Sequence, residues 1–274
     1  MKDISTKDLD TNLKSLIGVN NDKSAMNWFN QLKKDKYFVI AGPCRVENFK
    51  QLDKIGDFLS KQNVGFLRAG AFKPMTFPGG RKPLEYEGLK IIKDVCQKHN
   101  LQSVSEIMSI KQIEKSIDYI DIIQVGARNM QNYDLLKELG QTQKPIVLKR
   151  HPGGSLRDFA GAAEWICKQN NHKIIMCERG IVAPHTHSSK SRWLLDITSC
   201  IAFKELFPNI PFIVDPSHAC GLRSRVPALS LASKASGADG VIVEVHYDPD
   251  KSHSDPDQAI DFNTFKNLNK LLHR

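Results

Sequence analysis

The sequence predicts a single (β/α)8 barrel, and three observations support this fold class. Eight short apolar runs, rich in β-branched residues, recur along the chain. Amphipathic stretches lie between these runs, and strands that alternate with helices are typical of parallel βαβ units. The length of 274 residues suits one domain of this kind, because such a barrel needs roughly 250 residues.

The apolar runs have the length and composition of parallel strands that are buried on both faces. A doubly wound open sheet is the alternative architecture, but no GxGxxG motif follows the first run. The clearest helical patterns between the runs cover 85–99, 158–169 and 226–237. In chain order, the predicted strands are 37–44, 64–70, 101–107, 120–128, 145–150, 173–180, 211–218 and 240–246.

Residues 1–35 are polar and are interpreted as an N-terminal extension, with one short amphipathic helix around 25–33. We expect residues 36–274 to form the barrel as one catalytic domain, because no linker rich in Gly, Pro or Ser interrupts them. No segment approaches the roughly 20 apolar residues of a membrane span, and the polar N-terminus does not resemble a secretory signal. These features predict a cytoplasmic protein that does not bind membranes.

The net charge of +9 is spread along the chain rather than gathered in one tract. Because no zinc-finger spacing or RNA-binding motif accompanies it, nucleic acid is not the expected partner, and a small anionic substrate fits the charge equally well. The six cysteines form no CxxC pair, so free thiols are expected in a cytosolic chain.

Side chains that can bind ligands or take part in catalysis follow the predicted strands, at the end of the barrel where active sites lie in this fold. Singly, each could be a solvated loop charge, but their recurrence at every strand end indicates a site. The planar guanidinium group of Arg and the ammonium group of Lys both bind phosphate and carboxylate groups. A cationic set is therefore expected at the barrel mouth, made of Arg68, Lys73, Arg128, Lys149, Arg150 and Arg179.

A second set of side chains has the chemistry of metal ligands. Cys44 and His218 end the first and seventh predicted strands, Glu244 lies in the eighth, and Asp255 lies on the loop beyond it. Alone, Cys44 would be interpreted as a core thiol and His218 as a structural histidine. Together, one thiolate, one imidazole and two carboxylates suit a divalent metal, and this mixed set leaves Mn2+, Fe2+, Co2+ and Zn2+ open.

Eight segments carry these residues, in order, over residues 37–262. They are AGPC (41–44), RAGAFKP (68–74), GARNMQN (126–132), LKR (148–150), CERG (177–180), LDI (195–197), DPSHA (215–219) and EVHYDPDKSHSD (244–255). In this order they resemble the class I 3-deoxy-D-arabino-heptulosonate 7-phosphate (DAHP) synthases. The chain is most similar to the compact subgroup without a regulatory domain, which also includes the 3-deoxy-octulosonate 8-phosphate synthases.

The resemblance implies a (β/α)8 barrel and a metal-dependent transferase reaction. In this family phosphoenolpyruvate condenses with erythrose 4-phosphate and phosphate is released, at the entry to the shikimate pathway of aromatic amino acid biosynthesis. Family members are commonly dimers or tetramers, so a homo-oligomer is expected. By this resemblance, the metal ligands are Cys44, His218, Glu244 and Asp255.

The resemblance also implies how the two sets act. Besides Cys44 and His218, the catalytic residues would be Lys73, which could protonate the new alkoxide, and Glu106, which could orient or deprotonate the attacking water. The backbone of Gly126 and Ala127 belongs to the phosphate site of phosphoenolpyruvate. Its phosphate and carboxylate would be held by Arg68, Lys73, Arg128, Lys149 and Arg179.

One segment departs from the family pattern on the acceptor side. The family has KPRTS where this chain has KPMTF (73–77), and in the family that Arg and Thr bind the acceptor phosphate. Thr76 is retained, whereas Met75 cannot bind a dianion. Arg81 either supplies the cation that is missing at Met75 or is a solvated loop charge. Two further departures, His151 and Trp193, are expected near the same acceptor side.

The residues leave three functions open. The first is the DAHP synthase reaction, and the second is a related 3-deoxy-ulosonate phosphate synthase with another aldose phosphate in specialised metabolism. The third is a non-catalytic barrel that binds sugar phosphates. The complete metal set argues against the third.

If Arg81 supplies the missing cation, the Arg81→Ala variant will show a raised KM for the acceptor. The KM for phosphoenolpyruvate will stay unchanged, because other strand ends hold that substrate. Steady-state kinetics with each substrate varied in turn test this, and an unchanged acceptor KM would contradict it.

Overall fold

Eight parallel strands close into a barrel in the computed structural model, which describes residues 12–34, 37–73, 82–184 and 192–274. Each strand pairs with its neighbour in the chain, and the eighth pairs with the first. The predicted fold class is confirmed, and each strand lies inside its predicted run. The strands are β1 Phe38–Gly42, β2 Phe66–Arg68, β3 Gln102–Glu106, β4 Ile122–Val125, β5 Ile146–Lys149, β6 Ile174–Glu178, β7 Phe212–Val214 and β8 Gly240–Glu244.

The helices surround the barrel, as the alternating sequence pattern predicts. Within the described residues, α1 Lys14–Asn21 and α2 Lys23–Lys33 precede the first strand. None of the helices in the described ranges is long and apolar enough to cross a membrane. The others are α3 Phe49–Lys61, α4 Glu85–His99, α5 Ile110–Ser116, α6 Tyr133–Gln141, α7 Leu156–Cys167, α8 Ile197–Leu206, α9 Pro216–Cys220, α10 Val226–Ala235 and α11 Phe262–Leu272.

The predicted helix around 25–33 is confirmed by α2, but a further helix that was not predicted, α1, precedes it. The Glu164 carboxylate on α7 accepts the backbone N–H groups of Ser15 and Leu16 at 3.0 and 2.7 Å. These N–H groups lie in the first turn of α1, where a helix leaves them without internal partners. The contact spans about 150 positions of the chain, as its separations of 149 and 148 show, so no local sequence pattern reveals it.

Alternate residues of each strand point to opposite sides of the barrel wall. One set of buried strand residues packs together inside the barrel, and it includes Ile40, Val104 and Ile242. The intervening residues pack outward against the helices, as Val39 and Val243 do. This alternation decides which side chains at the strand ends point into the barrel.

Helix α2 covers the end of the barrel where the strands begin. Phe29 on α2 is 3% exposed and joins the internal cluster. Its ring centroid lies 5.4 Å from that of Phe38 on β1, which lies 4.7 Å from that of Phe66 on β2. With this end filled by aromatic rings, the opposite end is left for a substrate cavity.

Replacing Phe29 by Ala should lower the free energy of unfolding by about 3–5 kcal/mol, the usual cost of removing a buried aromatic ring. Phe49 is the matched control, since it is 43% exposed and the same substitution there should cost far less. Urea unfolding of both variants checks the prediction, and equal losses would show that Phe29 does not fill the barrel floor.

Candidate active site

A cavity of about 640 Å3 lies at the carboxyl ends of the strands. Glu244, a predicted metal ligand, lies buried beside it and is 1% exposed. Thr76 and Arg81 lie outside the described residues. The predicted residues that line the cavity are Cys44, Arg68, Lys73, Glu106, Gly126, Ala127, Arg128, Lys149, Arg179, His218 and Asp255.

Three donor atoms of different chemistry meet at one side of the cavity. Cys44, His218 and Glu244 each offer a ligand atom, and these atoms lie within 4.8 Å of one another. Cys44 Sγ is 4.0 Å from His218 Nε2, which is 3.1 Å from Glu244 Oε1. Asp255 Oδ2 lies 3.2 Å from the Cys44 sulfur. A thiolate, an imidazole and two carboxylates in this arrangement fit a divalent transition metal.

Buried partners hold the imidazole and carboxylate of this cluster in place. Asp215 Oδ2 lies 2.7 Å from His218 Nδ1, which directs Nε2 toward the cluster. Arg68 and Gln258 donate hydrogen bonds to the two oxygens of Glu244, at 2.8 and 2.6 Å. Such outer contacts orient ligands for a metal ion.

The electrostatics of the cluster favour a positive charge at its centre. Burial alone would raise the pKa of Glu244, but His218 and Arg68 hold it well below its usual range. Burial would likewise lower the pKa of His218, yet Asp215 and Glu244 raise it to about 10. His218 is therefore protonated beside the ionised Glu244, and a divalent cation bound by the two residues would take the place of that proton.

The cationic side chains line the same cavity, next to the metal-type ligands. Lys149 is buried and forms a 2.5 Å ion pair with Asp215. Arg179 donates to the His218 carbonyl at 3.4 Å and lies over the Trp193 ring, 5.9 Å from its centroid. Burial lowers the pKa of Arg179, and Arg192 adds to this effect, so an anion that enters here meets a desolvated cation.

Gly126 leaves space that Glu106 fills. A Cβ atom built on Gly126 would lie 2.0 Å from Glu106 Oε1, so any other residue here would force the Glu106 carboxylate to move. The same carboxylate accepts a hydrogen bond from Gln124 Nε2 at 3.2 Å. Glu106 thus lies beside the backbone that the family resemblance implies as a phosphate site.

Arg150, included in the predicted cationic set, does not line the cavity. It is 6% exposed and its NH1 donates to Glu178 and Asp196, both at 3.1 Å. The physical reason is the alternation along β5: Lys149 points into the barrel, so Arg150 points out. There it ties the loop after β5 to β6 and to the start of α8.

Several cavity residues were not singled out as site residues from sequence. Arg192 lines the cavity and donates to Asp255 Oδ1 at 2.6 Å. Trp193 and His151, noted as departures on the acceptor side, also line it. Gln258 gave no signal, because its contact with Glu244 depends on how the loop after β8 folds back.

Comparisons with known proteins agree with this geometry. The model of the DAHP synthetase I family matches residues 29–274. The chain is 43% identical to the phospho-2-dehydro-3-deoxyheptonate aldolase of Thermotoga maritima over 234 residues, 85% of this chain and 68% of that protein. It is 28% identical to the 2-dehydro-3-deoxyphosphooctonate aldolase of Geobacter sulfurreducens, over 85% of this chain and 90% of that protein.

Solved structures give the same result. The crystal structure of the Thermotoga maritima DAHP synthase superposes with a TM-score of 0.79 at 39% identity, covering 86% of this chain and 68% of that one. A truncated form of the Thermotoga maritima enzyme gives a TM-score of 0.77 at 38% identity, covering 86% and 85%.

Alkylation should distinguish the cavity thiol from the core thiols. At pH 8, iodoacetamide is expected to label the native protein at Cys44 alone, as intact mass and peptide mapping will report. The other thiols stay protonated and unreactive, because burial raises the pKa of Cys96 to about 12 and of Cys200 to about 11, and raises those of Cys167, Cys177 and Cys220.

The Cys44→Ser variant is the control and should take up no label. Rapid labelling of any core cysteine in the folded protein would contradict the prediction.

Proposed function

The chain belongs to the DAHP synthetase I family, and we propose that it condenses phosphoenolpyruvate with erythrose 4-phosphate and releases phosphate. As a member of this family it is an enzyme, a transferase of the 3-deoxy-7-phosphoheptulonate synthase type. One observation carries the substrate proposal. Buried cations and metal-type ligands share a single cavity and are in direct contact, as Arg68 is with Glu244 at 2.8 Å.

Phosphoenolpyruvate carries a phosphate and a carboxylate, and both need cationic partners. Arg68, Lys149 and Arg179 supply these charges from three strand ends, with Arg128 and the backbone amide of Ala127 at the phosphate. Because Arg68 and Lys149 are already paired with Glu244 and Asp215 at 2.8 and 2.5 Å, they are fixed in position before the substrate arrives. Fixed partners lower the entropic cost of bringing the two substrates together.

Cys44, His218, Glu244 and Asp255 would hold the divalent metal on which the family depends. The metal, when bound, supplies a Lewis acid that polarises the aldehyde carbonyl of the acceptor. The ligand set is consistent with Mn2+, Fe2+, Co2+ or Zn2+.

Lys73 is the proposed proton donor to the alkoxide that forms when C3 of phosphoenolpyruvate attacks the aldehyde. Its Nζ lies 2.9 Å from the Cys44 sulfur and 2.5 Å from Asp255 Oδ2. Burial alone would lower the pKa of Lys73, but Cys44 and Asp255 raise it. The ammonium group is therefore protonated and next to the reacting aldehyde.

Glu106 is the proposed partner of the water that completes the reaction. Positive charge develops at C2 of phosphoenolpyruvate after the new bond forms, and water adds there. Glu106 takes the proton of that water, and cleavage of the C2–O bond then releases phosphate. Its position beside Gly126 at the proposed phosphate site supports this role.

Erythrose 4-phosphate is the proposed acceptor because the heptulosonate relative is 43% identical, whereas the octulosonate relatives are 24–29% identical. Arg192 is the described cation that we propose for the acceptor phosphate, since its side chain is 41% exposed and lines the cavity. Thr76 and Arg81 remain proposed acceptor residues on the sequence pattern alone.

We further propose that residues 36–274 act as the catalytic domain of a cytoplasmic homo-oligomer, a dimer or tetramer, with residues 1–35 as an extension. The packing of α2 under the barrel supports a structural role for the extension. The exposed, stacked pair of Tyr133 and Trp165, with ring centroids 5.6 Å apart, is an apolar surface compatible with a subunit contact.

Phosphate release from phosphoenolpyruvate, measured with Mn2+ across aldose phosphates of three to five carbons, tests the reaction. Erythrose 4-phosphate should give the highest kcat/KM, about tenfold or more above the others. Chelator-treated enzyme is the control and should release no phosphate until metal is restored.

A preference for a five-carbon acceptor would replace the proposal with the octulosonate-type reaction. No release with any acceptor, together with no bound metal, would indicate a barrel that only binds sugar phosphates.

A further inference from the structure

The loop after β8 carries Asp255 in a conformation that its surroundings must hold. Asp255 has a φ of 51°, in the left-handed region that residues with a Cβ atom rarely adopt. Its two oxygens face different partners: Oδ2 lies 3.2 Å from the Cys44 sulfur and Oδ1 accepts from Arg192 at 2.6 Å. A small shift of this loop would therefore separate Asp255 from Cys44.

Glu47 joins this loop to the segment that carries Cys44. It follows Cys44 by three positions, and its side chain is 7% exposed. Glu47 Oε1 accepts the backbone N–H of His253 at 2.8 Å, and Oε2 lies 3.5 Å from His253 Nδ1. A buried carboxylate thus bridges the loops after β1 and β8.

A second histidine lies near the same carboxylate without a hydrogen bond to it. His246 Nε2 lies 3.9 Å from Glu47 Oε1, and this nitrogen is buried without a hydrogen-bond partner among the described residues. His246 is itself fixed, because its Nδ1 lies 2.7 Å from the carbonyl oxygen of Asp248. Glu47 therefore lies beside the start of the loop and is hydrogen-bonded to it two residues before Asp255.

The segment from His253, which Glu47 contacts, to Asp255 is short and is held by its own hydrogen bonds. Ser252 Oγ donates to the carbonyl of Ser254 at 2.8 Å, and Ser254 hydrogen-bonds both Lys73 and Asp255. A restraint at His253 is thereby passed to Asp255 through two peptide units. In the opposite direction, the restraint reaches Cys44 through three residues of the loop after β1.

We propose that Glu47 is a positioning residue that sets the distance between Cys44 and Asp255, and with it the affinity of the site for its divalent metal. This inference rests on the proposed metal-binding role of Cys44 and Asp255. Glu47 contacts neither of them directly. It acts through the His253 backbone, as residues outside a metal's own ligands commonly do.

Co2+ titration of the full-length chain tests the proposal without using activity. A cysteine thiolate bound to Co2+ gives a charge-transfer absorption band that reports Cys44 directly. Glu47→Ala should raise the Co2+ dissociation constant about 10- to 100-fold. Glu47→Gln should stay closer to the unmodified protein, because its amide oxygen can still accept the His253 N–H.

Glu164→Ala is the matched control. Glu164 also accepts backbone N–H groups, those of Ser15 and Leu16, but at the outer helix α7. Its removal should cost stability without changing Co2+ affinity. Co2+ affinity that falls equally in the Glu47 and Glu164 variants would make the effect one of stability alone and would overturn the proposal.

An unchanged dissociation constant in folded Glu47→Ala would also overturn it. If Glu47→Ala does not fold, Glu47→Asp carries the test: it keeps the charge but is too short to reach His253, so Co2+ binding should still weaken. Failure of the proposed metal site itself looks different. In that case the unmodified chain shows no thiolate band, or the band persists in Cys44→Ser.

Discussion

The buried ion pairs at the carboxyl ends of β2, β5, β7 and β8 are the constraint on which the site depends. Lys149 pairs with Asp215, and Arg68 pairs with Glu244, with all four side chains 6% exposed or less. Charges taken out of water are costly unless they are paired and hydrogen-bonded. His218 connects the two pairs, lying 2.7 Å from Asp215 and 3.1 Å from Glu244. The cations proposed to bind substrate and the metal-type ligands therefore form one network, so that a change in one part alters the electrostatics of the other.

The ion pairs form because alternate residues along each strand point to the inside of the barrel, where they meet residues of the other strands. Arg68, Lys149, Asp215 and Glu244 each lie an even number of positions from a residue of the internal apolar cluster on the same strand. The lower part of the barrel is filled by aromatic and aliphatic side chains, and the charged residues form the layer above them. The apolar layer below and the pairing between strands keep this charged layer rigid.

The loops complete the site with contacts between distant parts of the chain. The loop after β8 returns Asp255 toward Cys44 on the opposite side of the β1–β8 seam, and Gln258 reaches back to Glu244. Arg192 comes to Asp255 from the segment between β6 and α8. The sequence pattern indicated the strands and most strand-end residues because the rules for buried strands are local. It did not indicate Arg192, Gln258 or Glu47 as site residues, because each acts through a partner that only the closed barrel brings near.

The sequence by itself determined the architecture and the chemical inventory of this protein. Apolar runs at regular intervals indicate parallel strands, and the residues at their ends indicate a candidate site for anions and a divalent metal. Only the tertiary structure decided how that inventory is used. Adjacent cations such as Lys149 and Arg150 look equivalent in sequence, but strand alternation sends one into the cavity and the other to Glu178 and Asp196. The physical reason is that the charge of a side chain follows from its residue type, whereas its ion-pair partner depends on the direction in which the folded backbone points that side chain.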